Sequence, residues 1–463
     1  MKPAWLLLVA LSACKTDAPP PTPYAWDLPP ALPEPAVPDD NPMTAEKVEL
    51  GRHLFYDKRM SFNGTRSCGT CHSQAESFSG GVPFSLGATD EPSARNEPSL
   101  LNVAYNAVYT WADPVPVTLE EQMLLPMYSE HPVELGLTGH DDAQFALLRA
   151  DKRLGELFSA AYPDEEDPVD LTNIVNAIAS FERTILSGRS PYDKYFVEGD
   201  VSAIPPEAVQ GITRFFSEDQ ECYHCHGTYN FTDSVTQKGA AFVETPYHNT
   251  GLYNLDGAGA YPASDQGLAM FTHDPADMGK FKAPTLRNIA LTGPYMHDGS
   301  IADLDGVLDH YASGGRRIAD GPNAGDGSAN PHKDPLLKGF ALDDTLRAQL
   351  KALMLALTDE TVLHDPNLSP AFDCPDDALP VCPATPPSFM ADVAPILRDS
   401  CLTCHDVGRG AATELMTTWE QAHALHDKLV EQIHACTMPA DSRLPDDQRA
   451  TLLEWLACGD PNN

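Results

Sequence analysis

The chain has 463 residues, which is enough for two or three domains that each bury their own core. Its formal net charge of -37 argues against a nucleic-acid partner, because phosphate groups would be repelled rather than neutralised. Hydrophobic residues make up 42% of the chain, so most of it is expected to be globular.

The first residues have the pattern of an export signal. Lys2 precedes a short apolar run that is too short to cross a bilayer, and Leu11-Ser-Ala-Cys14 follows it. This order is typical of a bacterial lipoprotein signal over residues 1–14, with cleavage before Cys14 and a lipid on its sulfur. An ordinary secretory signal with an incidental cysteine is the alternative. Lys15 follows the cysteine, which favours the outer membrane, on the periplasmic side.

Helical spacing dominates the rest of the chain. Residues 15–42 are rich in proline and are predicted to form a semi-rigid tether, and globular pattern begins near Thr44. The spacing of apolar residues predicts helices over 171–186, 207–216 and 446–457. Because no stretch shows clear strand alternation, a mostly α fold with long loops is expected.

Three Cys-x-x-Cys-His motifs begin at Cys68, Cys222 and Cys401. Two thiols at this spacing can add across the vinyl groups of a haem while the adjacent histidine binds its iron. Zinc binding or thioredoxin-like chemistry would suit a single Cys-x-x-Cys, but three copies behind an export signal favour haem. The sequence therefore predicts three covalently bound c-type haems. Their attachment and iron-binding residues would be Cys68, Cys71, His72, Cys222, Cys225, His226, Cys401, Cys404 and His405.

The motifs divide the chain into units in which a helix precedes each haem. We expect two cytochrome c-like haem domains, 43–203 and 204–360, then a linker over 361–387 and a small third haem domain over 388–463.

Four cysteines remain outside the signal and the haem motifs. Because four is an even number and the compartment is oxidising, these cysteines are expected to form two disulfides, most simply Cys374–Cys382 and Cys436–Cys458. The other two pairings stay open.

Residues 44–360 resemble the bacterial di-haem cytochrome c peroxidase and MauG family, and within it the MbnH-like branch. The likeness implies a di-haem peroxidase core with a fused single-haem cytochrome c domain. The matching segments are Leu50-Gly-Arg-His-Leu-Phe-Tyr-Asp57, Arg95-Asn-Glu-Pro98, Thr110-Trp-Ala-Asp113, Pro132-Val-Glu-Leu-Gly136, His248-Asn-Thr-Gly-Leu-Tyr-Asn-Leu-Asp256, Lys282-Ala-Pro-Thr-Leu-Arg-Asn-Ile289, Thr292-Gly-Pro-Tyr-Met-His-Asp-Gly299 and His310-Tyr311.

The resemblance implies that the first haem has an open face. Simple peroxidases of the family carry a distal histidine between the first haem motif and Arg-Asn-x-Pro, but no histidine lies between His72 and His131. The expected position falls near Ala88. The haem of His72 should then be five-coordinate and able to bind peroxide. The alternative is that a loop methionine or a later histidine fills the vacancy.

The second haem, held by His226, needs a sixth ligand from the segment after Pro294. Ordinary peroxidases of the family use methionine, whereas the likeness to MauG implies Tyr311. A phenolate stabilises higher oxidation states of iron and lowers its reduction potential relative to a thioether. His310 and Met296 are the alternatives.

The likeness also implies roles for three residues around the first haem. Trp111 matches the tryptophan between the two haems and would carry charge between them. The alternative is that Trp111 only packs in the core, as most tryptophans do. Glu134 matches the distal acid, which takes a proton from peroxide and returns it to the leaving oxygen. Gln122 belongs to the same pattern. Because the segment from Pro126 to Glu134 is two residues longer than in MauG, Glu130 is a possible substitute.

Two further sites follow from the motifs. Asn96, Thr292 and Pro294 match a calcium site between the haems, for which amide and carbonyl oxygens are suitable ligands. In the third domain Met438 precedes a proline and is the expected sixth ligand, with Met416 and His434 as rivals.

The resemblance implies an enzyme that uses hydrogen peroxide to oxidise a side chain of a partner protein in the periplasm. A high-valent state shared by two haems would hold the oxidising equivalents, and the side chain would be tryptophan if the MbnH likeness extends to the substrate. One alternative is a conventional cytochrome c peroxidase that receives electrons through the third haem. Another is a non-catalytic electron carrier whose irons are all six-coordinate.

Overall fold

The computed structural model describes residues 19–370, 380–401, 418–434, 444 and 446–462. The chain is mostly helical, as predicted. Its helices are α1 (Ala45–Tyr56), α2 (Cys68–Cys71), α3 (Leu119–Tyr128), α4 (Asp141–Ala150), α5 (Lys152–Ala161), α6 (Leu171–Glu182), α7 (Pro191–Asp193), α8 (Pro206–Phe215), α9 (Tyr223–His226), α10 (Ala269–Thr272), α11 (Leu304–Ala312), α12 (Asp344–Ala356), α13 (Thr361–His364), α14 (Ala394–Ser400), α15 (Trp419–Ala424), α16 (His426–His434) and α17 (Asp446–Ala457).

Shorter elements complete the secondary structure. Two-residue strands β1 (Arg317–Ile318) and β2 (Gly325–Asp326) form an antiparallel pair. Single helical turns of 3-10 or π type occur at Lys58–Met60, Gln74–Glu76, Val103–Tyr105, Lys194–Glu198, Pro275–Asp277, Ile289–Leu291, Gly327–Ala329 and Phe389–Val393. No helix in the described ranges is both long enough and apolar enough to cross a membrane.

The first haem domain is built on the close packing of α1 against α6. The Thr44 side chain caps α1 by accepting a hydrogen bond from the backbone N–H of Lys47. A Cβ at Gly51 would lie 1.9 Å from the carbonyl oxygen of Ala177, so only glycine allows the two helices to approach this closely. The helix α2, which carries the first haem motif, then rests on the ring of Tyr56 through Gly69.

The second haem domain repeats this arrangement with α8 and α12. A Cβ at Gly211 would lie 2.1 Å from the carbonyl oxygen of Gln349. The predicted helix 207–216 corresponds to α8, with ends shifted by one residue. The first and the second haem motif are therefore each preceded by a helix that packs through a glycine on another helix.

The helix predicted over 171–186 ends earlier, at Glu182. Next along the chain, Arg183 is only 3% exposed and forms an ion pair with Glu120 at 2.8 Å. Ile185 and Leu186 are buried in the segment that follows. Their apolar character reflects burial in a loop rather than a helical face, which periodicity alone does not distinguish.

The prediction of a proline-rich tether needs correction for residues 19–42, which pack on both haem domains. Leu32 is buried with Ala104, Tyr105 and Leu186. The Tyr105 hydroxyl donates to the carbonyl of Pro33 at 2.6 Å. On the second domain, Lys238 forms an ion pair with Glu34 at 2.5 Å. We call residues 19–34 the strap, because they span the junction of the two domains.

The predicted linker 361–387 also begins later than expected. Residues 361–370 include α13 and lie against the first haem domain. The Tyr56 hydroxyl donates to the carbonyl of Leu368, and the Gln74 amide donates to that of Val362. A composition rich in proline and aspartate did not reveal this packing, because the contacts involve backbone carbonyls.

The C-terminal region has its own small core around Trp455, formed by α14, α15, α16 and α17. The helix predicted over 446–457 is confirmed. The favoured disulfide pairing is wrong, since Cys382 is bonded to Cys458, as in one of the pairings that the sequence left open. These cysteines are 76 residues apart in sequence, and the fold brings their Cα atoms to 4.7 Å. Their expected partners, Cys374 and Cys436, lie outside the described residues, as does Cys14.

Candidate di-haem active site

The first haem motif places His72 directly after α2. Its Nδ1 is 3.1 Å from the carbonyl oxygen of Phe78, a donor–acceptor pair that leaves Nε2 free for iron. Phe78 is fully buried and has a positive φ of 57°, which turns its carbonyl towards the imidazole. Burial lowers the pKa of His72, so the ring is neutral, as an iron ligand must be.

The second motif repeats this geometry at His226. Its Nδ1 is 2.9 Å from the carbonyl oxygen of Phe231, which also has a positive φ, of 52°. Burial again lowers the pKa of the histidine. Our sequence reasoning missed Phe78 and Phe231. The available signal was a phenylalanine five or six residues after each motif histidine.

The four cysteines of these two motifs are free thiols, although each pair is spaced for a disulfide. Burial raises the pKa of Cys71 and of Cys222 to about 12, so both remain protonated thiols in the protein without haem. Free thiols beside an oriented histidine fit the covalent attachment of a c-type haem in each domain.

The third motif is described only at Cys401. Cys404, His405, Met416 and Met438 lie outside the described residues, and so does the side chain of His434. The third haem and its ligands therefore remain predictions.

Glu134 lies beside the first motif, as its predicted role requires. Burial and the nearby charge of Glu97 raise the pKa of Glu134 to about 7. The charge of Glu134 in turn contributes to the raised pKa of Cys71, after burial and Glu97. The alternative acid, Glu130, is exposed to solvent. Glu134 is therefore the better candidate for acid–base chemistry at neutral pH.

The loop that would carry a distal histidine is held against Glu134. The backbone N–H of Ala88 donates to the carbonyl of Glu134 at 2.7 Å. A Cβ at Gly87 would lie 1.9 Å from the carbonyl oxygen of Val133, so this contact requires glycine. Gln122 is half-buried on α3, and its amide makes no hydrogen bond to another described side chain or backbone group.

Glu97 is a second buried carboxyl at this position that our sequence reasoning did not select. Its side chain accepts a hydrogen bond from the Ser85 backbone N–H at 3.1 Å, while Oε2 has no partner among the described residues. The signal was present in the sequence, since Glu97 occupies the variable position of Arg95-Asn-Glu-Pro98.

Tyr311 and His310 point in different directions from α11. Burial raises the pKa of Tyr311, and the neighbouring thiols of Cys225 and Cys222 raise it further, so its hydroxyl is close to the second haem motif. Burial lowers the pKa of His310 to about 4, and the nearby charges of Arg316 and Lys333 add to this effect. Of the two side chains, the phenol is therefore the one beside the haem attachment site.

Met296, the other rival, packs in the cluster of Ala112, Tyr253 and Phe281 between the domains. Trp111 contacts the same cluster. The indole N–H of Trp111 donates to the carbonyl of Asn96 at 2.7 Å. The backbone N–H of Asn96 donates to the carbonyl of His297 at 2.8 Å. Trp111 thus sits at the junction between the first domain and the loop 292–299 of the second.

Comparisons with known proteins show the family to which the chain belongs. The model of the di-haem cytochrome c peroxidase family matches residues 45–202. The methylamine utilization protein MauG of Methylophilus methylotrophus is 34% identical over 66% of this chain and 83% of its own length. The chain belongs to the di-haem cytochrome c peroxidase family.

Two further relatives of this di-haem peroxidase are informative. Cytochrome-c peroxidase IdrP1 of Pseudomonas sp. (strain SCT) is 32% identical over 78% of this chain and 92% of its own length. The crystal structure of a MauG-like protein associated with microbial copper homeostasis is 45% identical, with a TM-score of 0.73. That match covers 75% of this chain and 99% of the solved one.

The predicted calcium ligands of the peroxidase are only partly brought together. The Asn96 amide donates to the carbonyl of Val82 at 2.8 Å, and Thr292 donates to that of Ile289 at 3.4 Å. Pro294 follows a cis peptide bond. The same loop includes His297, whose carbonyl accepts the hydrogen bond from the Asn96 backbone N–H. Amide, hydroxyl and carbonyl oxygens suit calcium, which remains a prediction.

A charged group that our sequence reasoning missed lies beside the second haem motif. His248 is held between Asp334, 2.8 Å from Nδ1, and Asp233, 2.7 Å from Nε2. Burial would lower the pKa of His248, but the two carboxylates outweigh burial and raise it well above its ordinary value. The imidazolium and its two carboxylates lie near His226, and their net negative charge would favour the oxidised iron of a haem held there.

Proposed function

We propose that this peroxidase uses hydrogen peroxide at the haem of His72 to oxidise a side chain of a partner protein, as MauG-like enzymes do. Membership of the family makes it a haem-dependent oxidoreductase of the peroxidase class. We propose in addition which substrate it oxidises and how the two haems share the two oxidising equivalents.

The observation that carries the proposal is the position of Tyr311 beside Cys222 and Cys225, with His310 directed elsewhere. A phenolate on the second iron would stabilise oxidised states that a thioether would not. Such a haem is suited to storing an oxidising equivalent rather than to passing electrons quickly to peroxide.

Glu134 supplies the acid–base chemistry. With a pKa of about 7, it can take a proton from bound peroxide and return it to the leaving oxygen. Peroxide then accepts two electrons and two protons to give two water molecules. When bound, the haems supply the iron that cleaves the O–O bond and holds the two oxidising equivalents. Trp111, at the junction of the domains, would carry charge between them.

The partner is proposed to be an exported protein. The 45% identical relative is described as MauG-like and associated with copper homeostasis. The likeness to MbnH leads us to propose tryptophan as the oxidised side chain. The signal over residues 1–14 supports a location on the periplasmic side of a membrane, with a lipid at Cys14.

A conventional cytochrome c peroxidase is the second candidate. The third haem motif at Cys401 favours it, because an attached cytochrome would deliver electrons within one molecule. In that case the two electrons for peroxide come from a reduced donor protein and no partner side chain is altered.

The test uses the full chain loaded with its haems. The resting ferric protein should show one high-spin haem by electron paramagnetic resonance, and peroxide should produce a long-lived spectral change in both haems of the core. Rapid steady-state turnover of peroxide with reduced cytochrome would instead support the second candidate. A resting protein with only low-spin haems would refute peroxide binding at His72.

A further inference from the structure

We infer that Tyr223 is the residue through which oxidising equivalents leave the second haem for the partner protein. This inference rests on the proposed function and deepens it, since it names the point of contact between enzyme and substrate.

Tyr223 lies between the two haem-attaching cysteines, Cys222 and Cys225, at the start of α9. Its hydroxyl donates to Oε1 of Glu218 at 2.5 Å. Its ring lies over that of His224, with 4.2 Å between centroids. Phe216, 38% exposed, is its other aromatic neighbour, at 6.3 Å. The phenol is therefore next to the haem attachment site in sequence, and its hydrogen bond to Glu218 is exposed to solvent.

The hydrogen bond to Glu218 matters for redox chemistry because a phenol that loses an electron becomes a strong acid. Oxidation is favourable only where a base accepts the proton at the same time. Glu218 is exposed and is already the acceptor. One electron would pass from Tyr223 to the oxidised second haem, and the phenol proton would move to the Glu218 carboxylate. The partner side chain then returns the electron, and Glu218 returns the proton.

Other tyrosines near the second haem lack this combination. Tyr229 lies three residues after His226, as Tyr223 lies three before it, but its hydroxyl donates to the backbone carbonyl of Thr236 at 3.2 Å. A peptide carbonyl cannot take up a proton at neutral pH. Tyr253 donates to Asp298 at 2.5 Å, but it is only 5% exposed and cannot touch a partner.

The experiment treats the haem-loaded full chain with hydrogen peroxide, without partner, and freezes samples for electron paramagnetic resonance while optical spectra are recorded. We expect a tyrosyl radical in the wild-type protein. Tyr223→Phe should lose most of this signal, and the matched control Tyr229→Phe should keep it. Glu218→Gln keeps the shape of the acceptor but not its basicity, so the radical should form more slowly than in the wild type.

The outcomes separate this inference from the proposed function. If peroxide leaves the optical spectrum of the wild-type haems unchanged, the proposed function fails. If the haems respond but no tyrosyl radical forms, or if the same radical persists in Tyr223→Phe, the role of Tyr223 is refuted while the function stands. Haem content and the resting spectrum of each variant check that it has folded.

Discussion

At the scale of single residues, two buried carboxyl groups define the environment of the first haem. Glu134 and Glu97 are close enough for the charge of one to raise the pKa of the other. Burial, and after it the charge of Glu97, raises the pKa of Glu134 to about 7, which keeps Glu134 partly protonated near neutral pH. This is the range in which one group can both accept and donate a proton.

Glu134 should therefore control the pH dependence of the reaction with peroxide. A base must be ionised, so the rate of peroxide reaction should rise as pH increases through about 7, the pKa of Glu134. Glu134→Gln should remove this rise and slow the reaction by roughly 10²–10⁴-fold. Stopped-flow mixing with peroxide measures both effects. The exposed Glu130 provides the control, and a slow Glu130→Gln beside a normal Glu134→Gln would reverse the assignment.

The identity of the residue at position 311 should set the reduction potential of the second haem. Tyr311→Met should raise the reduction potential of the second haem by roughly 0.1 V or more, within the ~0.8 V range that axial ligands span. The reason is that a thioether stabilises the reduced iron, whereas a phenolate stabilises the oxidised iron. Spectroelectrochemical titration measures the change. His310→Gln should leave the potential close to that of the wild type, and the opposite result would make His310 the ligand.

At the scale of elements, glycines decide how closely the helices of each haem domain pack. Gly51 brings α1 against α6, and Gly211 brings α8 against α12. The backbone contact leaves no room for a methyl group at either position, so the spacing of each helix pair is set there. The haem motifs follow α1 and α8, so this spacing also positions His72 and His226.

Gly51→Ala should destabilise the protein by about 1–3 kcal/mol, because the added Cβ overlaps the carbonyl of Ala177. Gly155→Ala is the matched control within α5, where a Cβ meets no atom within 4 Å. That change should be neutral or stabilise by about 0.5–1 kcal/mol through helix propensity. Denaturant titration compares the two. Equal effects would mean that close packing at Gly51 does not matter.

At the scale of the whole molecule, the strap joins the two haem domains from outside. It contacts Tyr105 and Leu186 on the first domain and Lys238 on the second. Inter-haem chemistry depends on the distance between the two domains, which are also joined directly by the buried hydrogen bond from the Asn102 amide to Asn230. A segment that contacts both restricts their relative motion.

Leu32→Ala should lower the free energy of unfolding by about 2–3 kcal/mol, since the side chain is 6% exposed and its loss leaves a cavity beside Tyr105. Val201→Ala removes a comparable side chain that is 79% exposed and should have little effect. Thermal unfolding of the haem-loaded proteins measures both. If the two variants unfold alike, the strap does not contribute to stability.

Local signals in the sequence were sufficient for part of the fold and of the site. Thr44 begins α1 because its side chain caps the helix, which requires only nearby residues. The last helix, Asp446–Ala457, also matches its predicted bounds. The haem motifs were recognisable because covalent attachment fixes the spacing of two cysteines and a histidine. Glu134 and Tyr311 came from family resemblance, and the structure places each beside its haem motif.

Other features of the fold and of the site depend on contacts between distant segments, and local sequence patterns do not reveal such contacts. The strap and residues 361–370 pack through backbone carbonyls and a few apolar side chains, which composition does not reveal. Cys382 pairs with Cys458 because the fold brings the two together across 76 residues. Glu97 is a buried hydrogen-bond acceptor only because the fold places it against Ser85. The pKa of His248 is raised because the fold places it between Asp334 and Asp233. The sequence by itself determined the haem-binding motifs and the approximate positions of the helices that begin at Leu171, Pro206 and Asp446. Only the tertiary structure decided which groups are buried together, because burial and charge pairing arise between residues far apart in the chain.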